Sequence, residues 1–241
     1  MRLTILGNNG PFPAPGGATS GYLLSSGETR VCFDLGSGTL SRLTALMPPE
    51  ELSALVLSHW HYDHCADVLP LIYRLEACTQ QPLHVYAPVD ENSLVRKAVQ
   101  ACGKIVLHDV EPDSEFRMPN AELRISVRAA RHPVPAVMYR VEAEGKAFCY
   151  TGDTNTVEGL AEFADHADLL LADGLFTDAT WAEGKPHLSA RHVAELAQNA
   201  HVRRFVITHL NPAIDPATLL REARTVRLDA TLAAIGDAYE V

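Results

Sequence analysis

The sequence predicts an α+β fold in which β-sheets are flanked by helices. Short apolar runs recur with turn signals between them, helical stretches interleave with those runs, and no long linker or low-complexity segment divides the chain. With 241 residues, 47% of them apolar, the chain is long enough for one compact domain over residues 1–241 with a large core.

Taken in order, residues 2–6, 21–25 and 30–34 read as strands, and the Gly/Pro-rich residues 11–17 between them as a loop. Residues 54–58 form a continuous Leu- and Val-rich run, as expected of a strand covered on both faces. Helices are expected over 66–77 and 91–101, with strands over 83–87, 104–110, 122–130, 138–143 and 147–151. In the second half, residues 157–164 read as helix and 168–172 as strand. Ser189 is placed to cap a helix reaching Asn199, with Ala190, Val193, Ala194 and Ala197 on one face. Residues 204–208 read as a buried strand. Pro216 opens a helix to Arg227, and residues 231–235 begin the last strand.

Composition narrows the function. The five cysteines are scattered, odd in number and without a CxxC pair, which points to a reducing compartment rather than a disulfide scaffold. Met1–Leu6 reaches Gly7 before an apolar signal core forms, so a cytoplasmic protein is expected. No apolar run approaches the roughly 20 residues of a membrane helix. The net charge is −10 and the densest basic pair is Arg203-Arg204, which favours a small substrate over a large nucleic acid.

The chemistry is concentrated in His59-Trp60-His61-Tyr62-Asp63-His64, directly after the apolar run at 54–58. Residues two apart in an extended segment point the same way, so His59, His61 and Asp63 are expected to converge, with His64 swung alongside by a turn into the next helix. Imidazole and carboxylate donors suit zinc, and also manganese or iron. One run supplies too few ligands for two metals. His132, Asp153 and His209 each follow a predicted strand, as the run does, and are grouped with it for that reason.

With these motifs the chain resembles the metallo-β-lactamase fold superfamily. It is most similar to the branch that holds ribonuclease Z and bacterial cyclic-nucleotide phosphodiesterases. The likeness runs nearly end to end, through Gly16-Gly17-Ala18-Thr19-Ser20-Gly21, Asp34-Leu35-Gly36-Ser37-Gly38, the histidine run, Tyr150-Thr151-Gly152-Asp153-Thr154, Pro186-His187-Leu188-Ser189 and Thr208-His209-Leu210.

The resemblance implies a four-layer αββα sandwich of two mixed sheets and a pair of zinc ions. His59, His61 and His132 would hold the first metal and Asp63, His64 and His209 the second, with Asp153 bridging. Asp34 would orient a histidine ligand. His187 would be the proton donor and Asp173 its partner, one methylene shorter than the glutamate of ribonuclease Z. The resemblance further implies a metal-dependent hydrolase and a homodimer. It leaves no room for the RNA-clamping arm of ribonuclease Z, because little more than a hairpin separates His132 from Asp153.

The leading reading is therefore a phosphodiesterase for small phosphodiesters such as cyclic nucleotides. The alternatives are a ribonuclease Z-like tRNA endonuclease, which would need an arm borrowed from a partner, a hydrolase of non-phosphoester substrates, and a non-catalytic metal-binding scaffold. His84, His108, His166, His192 and His201 are expected to have no site role, and Cys65 to pack in a first helical turn rather than bind metal. Phe12, Trp60 and Tyr62 are candidates for stacking on a base or sugar, and Trp60 and Tyr62 equally for packing.

Overall fold

The computed structural model describes residues 1–78, 81–118 and 122–241. Its strands and helices run β1 (Arg2–Gly7), β2 (Gly21–Ser26), β3 (Thr29–Leu35), α1 (Thr39–Thr44), β4 (Ala54–Val56), α2 (Tyr62–Cys65), α3 (Val68–Cys78), β5 (Leu83–Pro88), α4 (Leu94–Ala101), β6 (Ile105–Val110), β7 (Glu115–Arg117) and β8 (Arg124–Ala129). They continue with β9 (Val137–Ala143), β10 (Lys146–Tyr150), α5 (Leu160–Ala164), β11 (Leu169–Asp173), α6 (Ala190–Asn199), β12 (Arg204–Thr208), α7 (Pro216–Arg224), β13 (Thr231–Leu232) and β14 (Ala238–Glu240).

The strands form two seven-stranded mixed sheets, ordered β14-β1-β2-β3-β4-β5-β6 and β13-β12-β11-β10-β9-β8-β7. In the first sheet β3 to β6 run parallel, and in the second β10 to β13 do. This explains the unbroken apolar run at β4. It lies between two parallel neighbours, with all three residues buried.

Apolar side chains divide into three layers. Between the sheets, Phe33 packs against Tyr139 and Phe148 at 5.8 Å each and against Tyr150 at 6.2 Å. Outside the first sheet, Leu43, Val68, Leu71, Val95 and Val99 cover one face. Outside the second, Leu160, Val193, Ala197, Leu219 and Ala223 cover the other. The result is the four-layer αββα order. Among the described residues no helix is long and apolar enough to cross a membrane.

Several boundaries differ from the sequence expectation, for local reasons. The helix expected over 66–77 is α3, which begins at Val68, and a separate short helix, α2, precedes it within the histidine run. Pro70 falls in the first turn of α3, where its missing N–H would have no partner anyway. The helix expected from residue 91 starts at Leu94, because Ser93 caps it by accepting a bond from Arg96 N. The helix expected over 157–164 begins only at Leu160, after Gly159 in the left-handed region. The helix from Pro216 stops at Arg224, and the strand expected from 231 is two residues long. The sequence reading placed no element at α1, β7 or β14, which are six, three and three residues long. Runs this short carry little periodicity. Ser189 caps α6, accepting from His192 N, and α6 ends at Asn199, as expected.

Candidate metal centre

Strand ends build the site. His59 and His61 follow β4, His132 follows β8, Asp153 follows β10 and His209 follows β12, while Asp173 is the last residue of β11. Asp63 and His64 arrive differently from the expectation. His61 is extended (φ −65°, ψ 146°) and caps α2, so Asp63 sits in a helical first turn rather than in a continued strand. The extended alternation therefore holds only for His59 and His61.

All seven residues expected to bind metal come together. Donor atoms of His59, His61, His132 and Asp153 lie within 4.8 Å of one another, as do those of Asp63, His64, Asp153 and His209. Asp153 belongs to both sets. Across them, His132 Nε2 is 3.0 Å from His61 Nδ1, His64 Nε2 is 3.1 Å from Asp153 Oδ1, and His209 Nε2 is 3.1 Å from Asp63 Oδ2.

The outward nitrogens fix which atom faces the centre. His64 Nδ1 donates to Asp34 Oδ2 at 2.7 Å, which leaves Nε2 inward. His59 Nδ1 donates to Ser58 Oγ at 3.0 Å, and that hydroxyl donates to Asp34 Oδ2 at 2.8 Å. His132 Nδ1 donates to Pro186 O at 3.3 Å. Such outer hydrogen bonds set the tautomer and aim of metal-binding imidazoles. Asp34, fully buried, also accepts from Ser58 N at 2.7 Å and Tyr150 OH at 2.5 Å.

The inward atoms fit a cation. His59 Nε2 and Asp153 Oδ1 are buried without a hydrogen-bond partner. Oδ1 and His64 Nε2 are close but not aligned on each other. Buried polar atoms seldom stay unpaired, and both residues belong to one donor set, as ligands to one ion do. Electrostatics sort the histidines. Burial, with neighbouring imidazoles, holds His59 well below the usual range, and burial lowers His61 and His132. Burial also opposes charge on His64 and His209, but there the surrounding carboxylates, Asp153 foremost, outweigh it. They raise His64 well above normal and His209 to about 10. Burial pushes Asp153 the other way, but the His209, His64 and His59 imidazoles around it hold it well below the usual carboxylate range.

Next to this centre His187 Nδ1 lies 2.7 Å from Asp173 Oδ2, and donors of both residues cluster with those of Asp153 and His209. Burial disfavours charge on His187, and the Asp173 carboxylate raises its pKa despite that. Asp173 is itself fixed by Leu175 N at 3.1 Å and Thr154 N at 3.2 Å.

Of the stacking candidates, Trp60 is buried, with Nε1 donating to Pro88 O at 2.7 Å, so it packs. Phe12 and Tyr62 are 52% and 63% exposed. Cys65 is buried in α2 and donates to His61 O. His84 stacks on His108 and His192 on Trp181. His166 stacks on His201 beside Asp165, forming an exposed donor triplet away from the centre.

Four residues that support the site were given no role by the sequence reading: Ser58, Tyr150, Gly10 and Asn155. Ser58 adjoins His59, and Tyr150 opens the motif that carries Asp153, so closeness in sequence was a usable signal. Gly10 was not legible. A Cβ there would lie 2.1, 2.2 and 2.3 Å from three ring atoms of His209. Asn155 is buried, and its Nδ2 donates to Ala182 O at 3.0 Å and Lys185 O at 2.6 Å. It thereby ties the Asp153 loop to the segment leading into His187.

Comparison with known proteins places this geometry. The family described as the beta-lactamase superfamily domain matches residues 18–210. The probable metallo-hydrolase YhfI of Bacillus subtilis is 29% identical over 232 residues, covering 94% of this chain and 93% of that protein. Its crystal structure, described as that of a metallo-beta-lactamase fold protein, superposes with a TM-score of 0.92 at 28% identity, over 100% of this chain and 98% of that one. A ribonuclease Z of Haloferax volcanii is 28% identical over 285 residues, covering 94% and 90%. The human short-form tRNase Z shares the fold, with a TM-score of 0.81 at 20% identity over 100% and 99% of the two chains.

Proposed function

The chain belongs to the beta-lactamase superfamily, and from that premise we propose that it is a two-metal phosphodiesterase acting on small phosphodiesters, cyclic nucleotides foremost. The observation that carries this reading is the His187–Asp173 pair, held at 2.7 Å beside two donor sets that share Asp153. A fully conjoined ligand set could serve structure alone, but a histidine whose protonated form a carboxylate favours, braced at its edge, is what cleavage of a phosphoester needs.

His59, His61 and His132 would hold one cation, Asp63, His64 and His209 the other, and Asp153 both. Zinc leads because the donors are imidazole and carboxylate, and manganese or iron would suit the same set. When bound, such a pair supplies a water acidic enough to attack at neutral pH and offsets charge on the phosphoryl oxygens. His187 does the chain's own proton work. Its Nδ1–H is engaged by Asp173, which directs the Nε2 proton toward the leaving oxygen and stabilises the cationic ring until transfer. Arg131 and Lys185 line a cleft with His132 and draw an anionic substrate toward the centre in a chain whose net charge is −10.

Small substrates are favoured over tRNA because the interval from His132 to Asp153 is filled by β9, a tight turn and β10. The turn residues Glu144 and Gly145 both have positive φ. No clamp for a long polyanion springs from that hairpin.

The test is hydrolysis of cyclic AMP, bis(p-nitrophenyl) phosphate and precursor tRNA by zinc-loaded protein, with metal content measured alongside. Turnover of the first two with tRNA uncut supports the reading. Specific cleavage of tRNA alone overturns it in favour of a ribonuclease. Full metal content and no turnover of any of the three overturns it in favour of a non-phosphoester hydrolase or a scaffold.

A further inference from the structure

Beside the metal centre lies a cavity of about 460 Å³. It opens where strands of both sheets end together. Pro88 closes β5, Val110 closes β6, Ala129 closes β8 and Val137 opens β9. Its wall continues through Pro133, Val134 and Pro135, and it shares His132 with the donor set described above. Among the described residues lining it, Glu111 and His132 alone carry ionisable side chains, and none is lysine or arginine.

The other flank of His132 is different in kind, because there Arg131 and Lys185 line the cleft. His132 thus stands between a cationic surface and an apolar one, with the metal donors at its Nε2. A ligand that joins an anionic group to a flat uncharged one would meet each of these surfaces with the matching part. An anion placed in the apolar cavity would lose water without gaining a positive partner.

Resting on the phosphodiesterase reading, we propose that this cavity binds the nucleobase of a nucleotide substrate while its phosphate occupies the metal centre. Proline and valine side chains cover the ring faces by dispersion contact. The Glu111 carboxylate at the wall accepts from an exocyclic amino group, a charge-assisted bond.

The experiment uses zinc-loaded full-length protein and calorimetric titration with AMP and with ribose 5-phosphate, which differ only in the base. Wild-type protein binds AMP more tightly by at least about tenfold, the order expected for withdrawing an apolar ring from water. The readout is the gap between the two ligands. Val134→Glu places a charge in the wall, and Ala129→Trp fills the cavity from an exposed position. Each narrows the gap to within about threefold, with metal content and melting temperature measured on both. Equal affinity of the two ligands for wild-type protein overturns the proposal, and so does a gap that survives both substitutions. Because the readout is binding, a protein that shows the gap yet hydrolyses no diester would sink the phosphodiesterase reading and leave the cavity's preference standing.

Discussion

The His187 Nδ1 to Asp173 Oδ2 contact, at 2.7 Å, joins a buried imidazole to a fully buried carboxylate. The shorter aspartate reaches the histidine because Asp173 ends β11 and is clamped from behind by two backbone amides.

Replacing Asp173 with Asn keeps the shape and removes the anion. Burial alone then acts on His187 and lowers its pKa, whereas the carboxylate now raises it. Activity that needs the protonated ring falls as pH climbs through that pKa, so the alkaline limb of the kcat profile shifts to lower pH in Asp173→Asn. At neutral pH kcat drops about 10²-fold or more. A pH–rate series on both proteins checks this, and an unmoved alkaline limb would remove His187 from the proton-donor role.

Asp34→Asn weakens metal binding by about 10- to 100-fold. Asp34 receives His64, Ser58 and Tyr150 at once, and an amide cannot accept from all of them. Chelator competition measures the affinity. Retention of wild-type affinity would show that the His64 ring is held by packing alone.

Gly10→Ala sets a methyl group against the His209 ring. The residue follows β1, and its N–H donates to Leu210 O at 3.1 Å, so the backbone has little freedom to retreat. His209 itself sits at φ 58°, a conformation side chains adopt reluctantly. The expected outcome is a folded protein that retains the His59–His61–His132 cation and loses the other, about one metal per chain instead of two. Elemental analysis after dialysis decides it.

Metal loading releases protons. In the metal-free protein His64 and His209 are held charged by their carboxylate neighbours, and each must become neutral to donate a lone pair. Binding at pH 7.5 therefore expels about two protons per chain, and affinity rises with pH. Calorimetry in buffers of different ionisation enthalpy counts them. A release of zero would mean the histidines are already neutral.

Much of this was legible beforehand because the ligands share one address. His59, His132, Asp153 and His209 each follow an apolar run, and such runs are the clearest signal a sequence carries. Asp63 does converge with the other donors, but from a helical turn and not by the strand alternation expected. The chain turns into α2 one residue after His61, and four helical residues leave no period to read. The short elements α1, β7 and β14 escaped for the same reason. β14 lies beside β1, a pairing between chain ends that no local pattern encodes. Gly10 and Asn155 were hidden more deeply, because what each does depends on residues far along the chain.

The donor atoms are divided between the halves of the sandwich, with His59, His61, Asp63 and His64 emerging from the first sheet and His132, Asp153 and His209 from the second. Tyr150 OH to Asp34 and Tyr139 OH to Leu57 O stitch the same seam from within. Bound cations would therefore act as a rivet through the molecule. Chelation should loosen it first along the plane between the sheets, with the helical outer layers the last to let go.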